Sequence, residues 1–88
     1  MYSIRLLQSA TRELERLDRP IASRIVRKVR WLSANADQVN HQPLKGGLVG
    51  LYKLREGDYR IVYEVLRAQQ IIVIHLIGHR SEVYKPSR

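Results

Sequence analysis

Three short segments in which apolar residues recur at every second position decide most of what this chain can become. They are residues 51–55 (LYKLR), 59–66 (YRIVYEVL) and 70–77 (QIIVIHLI). Only Glu56-Gly57-Asp58 separates the first from the second, and Arg67-Ala68-Gln69 the second from the third. Connections that short admit hairpins, so the segments must form an antiparallel meander. The run IIVIHLI is almost continuously apolar, which predicts an interior strand covered on both faces. Lys53 and Arg55 fall on one face of the first strand. Arg60 joins them if the turn pairs Arg55 with Arg60, and goes to the other face if Arg55 pairs with Tyr59.

Upstream the period changes. Residues 2–7 (YSIRLL) read as a first strand. Ser9 is a plausible N-cap, and Ala10, Leu14 and Leu17 follow at helical spacing to about Asp18. Asp18-Arg19-Pro20 breaks that helix, and Pro20 suits the first turn of a second. There Ile21, Ile25, Val29, Leu32 and Ala36 make one apolar stripe, with Arg24, Arg27, Lys28 and Arg30 on the solvated side. Residues 35–50, rich in Asn, Pro and Gly, read as a loop. The expected class is α+β: an N-terminal strand, then a two-helix hairpin packed on one face of an antiparallel β-sheet, all in a single domain of residues 1–88. The other face is left as a groove.

Charge narrows the partner. Sixteen Lys and Arg against eight Asp and Glu give a net charge of +8, and most of the cations are Arg, whose planar fork suits phosphate. There is no cysteine, which excludes disulfides and thiolate metal sites. The sequence contains no nucleophile elbow, P-loop, dinucleotide fingerprint or metal-ligand cluster, so neither metal nor cofactor is expected. The longest apolar run is broken by His75 and is too short for a bilayer, and no leader-like run opens the chain. The expectation is therefore a cytoplasmic protein without membrane contact.

Two constellations stand out. Lys53, Arg55 and Arg60, with Lys45, Arg80 and Lys85, crowd like charges that a bound phosphate backbone would relieve. His79-Arg80 and Tyr84 follow the last strand beyond Gly78, where side chains become exposed. His75, in mid-strand, reads as structural, and His41 as a surface residue with no partner in view.

The segment LKG, the stretch LYKLREGDYRIVYEV and the closing GHRSEVY together resemble the RelE/ParE toxin superfamily, specifically its RelE branch, over essentially the whole chain. The resemblance implies a RelE-like, microbial ribonuclease-type fold. It also implies a toxin of a type II toxin–antitoxin system that cleaves mRNA in the ribosomal A site without metal and is neutralised by an acidic, RelB-like antitoxin. It puts Lys53, Arg60, His79, Arg80 and Tyr84 in the catalytic site and Lys45, Arg55 and Lys85 on the RNA. In relatives the first meander strand carries two lysines where this chain has Lys53 and Arg55. Arginine is a poor base, so proton abstraction falls to Lys53 or His79. Tyr84 would stack on a splayed base. A ParE-like gyrase inhibitor and a noncatalytic RNA-binding module are the competing readings.

Overall fold

The computed structural model describes residues 1–45 and 49–83, the side chains of 82 and 83 excepted. The elements run β1 (Ser3–Leu6), α1 (Gln8–Arg16), α2 (Arg19–Asn35), β2 (Gln42–Pro43), β3 (Tyr52–Glu56), β4 (Tyr59–Leu66), β5 (Ile71–His79) and α3 (Arg80–Val83). The strands form one five-stranded sheet in the order β1-β5-β4-β3-β2. β2 to β5 pair antiparallel, and β1 adds to β5 in parallel. The α+β class and the meander agree with the sequence reading. The parallel first strand is an addition to it.

Both helices pack on one sheet face. The predicted stripe of α2 is the buried one: Ile25, Val29, Leu32 and Ala36 meet Ile61, Tyr63, Ile72, Ile74 and Ile77, with Ala10 of α1 completing the cluster. Apolar burial of this kind stabilises at roughly 25 cal/mol per Å² removed from water. Tyr2 ties the chain's start to the end of α2. Its amide donates to the Ser33 carbonyl at 3.1 Å, the Ser33 hydroxyl donates back to the Tyr2 carbonyl, and its phenol donates to Asp37 at 2.9 Å.

Three local expectations need correction. Ser9 is not the cap of α1, which begins at Gln8 after Leu7; the Ser9 hydroxyl reaches across to the His75 carbonyl at 2.8 Å. Within residues 35–50, Gln42–Pro43 is a strand, short because Pro43 has no amide to extend the ladder. And β5 is interior but not covered on both faces, since Leu76 is exposed on the side away from the helices. The apolar run misleads because a bulge at His75 interrupts the alternation. Val62 faces Leu76 and Tyr63 faces Ile74, so Ile74 and Ile77 both turn to the core although they are three apart.

A basic row on the open sheet face

The turn between β3 and β4 settles which side chains share a face. Glu56 pairs with Tyr59 and Arg55 with Arg60, leaving Gly57 and Asp58 as a two-residue connection. Gly57 takes a φ of +59°, the left-handed conformation that glycine adopts without strain. Residues directly opposite one another lie on the same side of a sheet, so Lys53, Arg55, Arg60 and Val62 form one set on the face away from the helices. Tyr52, Leu54, Tyr59, Ile61 and Tyr63 form the other set. The alternative register, which would have split the three cations, is not the one adopted.

Lys53, Arg55 and Arg60 line a cleft of about 460 Å³ together with Val39, Asn40 and Gln42. Arg55 is the exposed member, and its Nε donates to the Gly57 carbonyl at 3.1 Å, folding the guanidinium over its own turn. Lys53 and Arg60 are half-buried. Lys45 is exposed in the connection before β3. The neutral wall residues 39, 40 and 42 escape a sequence reading, because the β2–β3 pairing that brings them to the cleft leaves no periodic trace in a two-residue strand.

Beyond the ladder, the Arg80 amide donates to the Asp58 carbonyl at 2.8 Å, which holds the start of α3 against the β3–β4 turn. Arg80 itself is exposed. His79 pairs with Tyr59 and so belongs to the helix-side set, where its ring meets the Tyr59 ring edge-on at 5.6 Å. Its Nδ1 accepts from the Ser81 hydroxyl at 2.9 Å and from the Ser81 amide at 3.2 Å. The structure thus brings Lys53, Arg55 and Arg60 together and sets His79 on the other side of the sheet. Tyr84 and Lys85 lie outside the described residues.

The other two histidines are more engaged than the sequence suggests. His41 is not a solitary surface residue. Its Nε2 donates to the Ala36 carbonyl at 2.8 Å, its Nδ1 lies 2.6 Å from the Tyr63 hydroxyl, and its ring contacts Tyr52 at 5.3 Å. A carbonyl can only accept, so His41 donates from Nε2, and its Nδ1 accepts the hydrogen bond of the Tyr63 hydroxyl. Burial, with Tyr52 adding to it, pushes the Tyr63 phenol up to about 12. This cluster pins the α2–β2 connection, and with it the Val39–Gln42 wall, onto β3 and β4. On the open face, His75 Nε2 stands 3.0 Å from Glu64 Oε1.

Among the described residues, no three His, Asp or Glu side chains converge on a point where a metal ion would sit, and no helix is long and apolar enough to cross a membrane.

Comparison with known proteins gives a consistent picture. The family described as ParE toxin of type II toxin–antitoxin systems matches residues 4–84. Toxin RelE of Mycobacterium tuberculosis is 33% identical over 84 residues, covering 96% of this chain and 87% of the relative. Toxin RelG of the same organism is 29% identical over 85 residues, covering 96% and 97%. Among solved structures, the RelBE2 toxin–antitoxin complex of M. tuberculosis superposes with a TM-score of 0.79 at 30% identity, over 90% of this chain and 98% of that one. The isolated Escherichia coli RelE toxin gives 0.76 at 23% identity, over 96% and 92%, and shares the fold.

Proposed function

This chain belongs to the RelE/ParE superfamily of type II toxin–antitoxin toxins, and we propose that within it the protein is a ribosome-dependent endoribonuclease that cleaves mRNA in the A site. The observation that carries the reading is the register Arg55↔Arg60, which gathers Lys53, Arg55 and Arg60 on a sheet face the helices leave open. A strand row of three cations with few acids between them suits an extended phosphodiester chain.

RNA supplies its own nucleophile. The ribose 2′-OH attacks the adjacent phosphorus in line and expels the 5′ oxygen, leaving a 2′,3′-cyclic phosphate and a 5′-OH. The protein must orient the linkage, take the 2′ proton and neutralise the charge that builds on the phosphoryl oxygens. In this proposal Arg60 and Arg80 hold the phosphate, and Lys53 Nζ is the group that accepts the proton. Lys45, Arg55 and Lys85 hold flanking phosphates, and Tyr84 stacks on a base. Lys53 is preferred to His79 as the base because it shares Arg60's face, whereas His79 lies on the helix side with Nδ1 engaged by Ser81. His79 then serves to fix the start of α3 and the position of Arg80. Such a protein works in the cytoplasm and is held inactive by an acidic, RelB-like antitoxin; the similar M. tuberculosis RelBE2 structure is a toxin–antitoxin complex.

Primer extension on mRNA from programmed ribosomes tests the reading. The wild type is expected to cut in the A-site codon, and Arg60→Ala to lower the rate by about 10²–10³-fold, the usual loss when a charge-stabilising donor is removed. Lys53→Ala is expected to cost more than His79→Ala. An Arg60→Ala variant with undiminished cleavage overturns the assignment. The match to the ParE toxin family favours a second reading, inhibition of DNA gyrase. Gyrase-linked DNA breaks with intact mRNA would establish that one instead.

A further inference from the structure

The mechanism above leaves the expelled 5′ oxygen without a proton donor, and the open face carries a side-chain pair that nothing has yet used. We propose that His75, oriented by Glu64, is the general acid that protonates the 5′ oxygen. The assignment rests on the ribonuclease reading.

Placement comes first. Lys53 pairs with Val62 on one side, and on the other Val62 faces Leu76, with His75 as the extra residue of the bulge. Lys53 and His75 therefore flank Val62 in one row across three strands. With strands about 4.8 Å apart, their backbones stand roughly 10 Å from each other. Arg60 is the next residue along β4 on the same face. A phosphate held by Arg60 over this row has Lys53 on one side and His75 on the other. In-line displacement asks for that arrangement, because the attacking oxygen enters on the side of phosphorus opposite the one from which the leaving oxygen departs.

Orientation comes second. Alternation from Val73, which pairs with Glu64, turns residue 75 outward, and the bulge that follows keeps Leu76 on the same side; there Nε2 meets Glu64 Oε1 at 3.0 Å. The Ser9 hydroxyl, bonded to the His75 carbonyl at 2.8 Å, fixes the backbone at this point. A carboxylate only accepts, so Nε2 carries a proton and Nδ1 is left to exchange one with the groove. No hydrogen bond reaches Nδ1 among the described residues. The side chain is 29% exposed, open to a ligand on the face yet held by its partner. An imidazole whose far nitrogen is anchored by a carboxylate is a recurrent proton-transfer device.

The step balances. The 2′ O–H proton passes to Lys53 Nζ as the 2′ oxygen forms its bond to phosphorus. The P–O5′ bond breaks with its electron pair on the 5′ oxygen, which takes the proton from Nδ1 of the His75 imidazolium. His75 is left neutral, with its remaining proton on Nε2 against Glu64.

The experiment compares two mRNAs on programmed ribosomes. One has the natural linkage at the cleaved position, the other a bridging sulfur in place of the 5′ oxygen, since a thiolate leaves without protonation. His75→Gln and His75→Ala are expected to slow cleavage of the oxygen linkage by about 10²-fold or more and to cut the sulfur linkage at nearly the wild-type rate. Glu64→Gln is expected to show a smaller loss, also erased by sulfur. The oxygen-to-sulfur ratio is internal to each variant, so damaged folding, which lowers both rates alike, is distinguished. Wild-type cleavage of the oxygen linkage by His75→Gln, or an equal loss on both linkages in a His75→Gln protein that unfolds at the wild-type urea midpoint, overturns the proposal. A wild-type protein that cuts neither mRNA overturns the ribonuclease reading itself.

Discussion

The Tyr63 phenol gives its hydrogen bond to His41 inside the cluster under β2, where burial pushes its pKa from 10 up to about 12. In the unfolded chain the same phenol ionises near 10. Folding is therefore fully favoured by this group below pH 10, and that contribution is lost as pH rises from 10 to 12. The loss is about 2 kcal/mol at the upper end, at 1.36 kcal/mol per unit. Tyr2, also raised through its hydrogen bond to Asp37, adds to the fall in the same direction. Urea unfolding at pH 9.5 and 11.5 should show it, and Tyr63→Phe should flatten part of it. A Phe variant as alkali-sensitive as the wild type would remove the attribution to Tyr63. None of this was legible from the sequence around His41, because its partners come from Ala36 and Tyr63, and only the β3–β4 pairing and the end of α2 bring those together. Lys53, Arg55 and Arg60 were legible, since alternation needs no distant partner.

Elements differ in how much of themselves they announce. The meander was readable because its turns are short, and α2 because five apolar residues recur on one stripe. β2 and the parallel seat of β1 were not, since each depends on a neighbour far away in sequence rather than on its own pattern. The turn between β4 and β5 holds a local cost of a different kind. Gln70 sits at a φ of 56°, with its amide bonded to the Arg67 carbonyl at 3.1 Å. A side chain in that left-handed region costs roughly 1 kcal/mol relative to glycine. Gln70→Gly is therefore expected to raise stability by up to about 0.5 kcal/mol, after the added freedom of the unfolded chain is set against the relief. Thermal or urea unfolding measures it; a destabilised Gly variant would show that the Gln side chain contributes more than its backbone costs.

The molecule as a whole is two-sided: helices on one face of the sheet, Lys53, Arg55 and Arg60 on the other, with a net charge of +8 throughout. Affinity for single-stranded RNA should fall steeply with salt, by about 0.7 in log–log slope for each phosphate neutralised. Filter binding between 50 and 250 mM salt is expected to show Arg55→Ala reducing the slope by close to that one-contact amount. An unchanged slope would place Arg55 outside the contact. The parallel pairing of Ser3–Leu6 with Ile71–Ile74 has a consequence in time. The first strand must wait for the fifth, so the sheet closes only once both have been made, and closure across so long a loop is slow. A chain that stops short of Ile71 therefore leaves its first strand without a seat, and such a truncated product lacks the finished sheet.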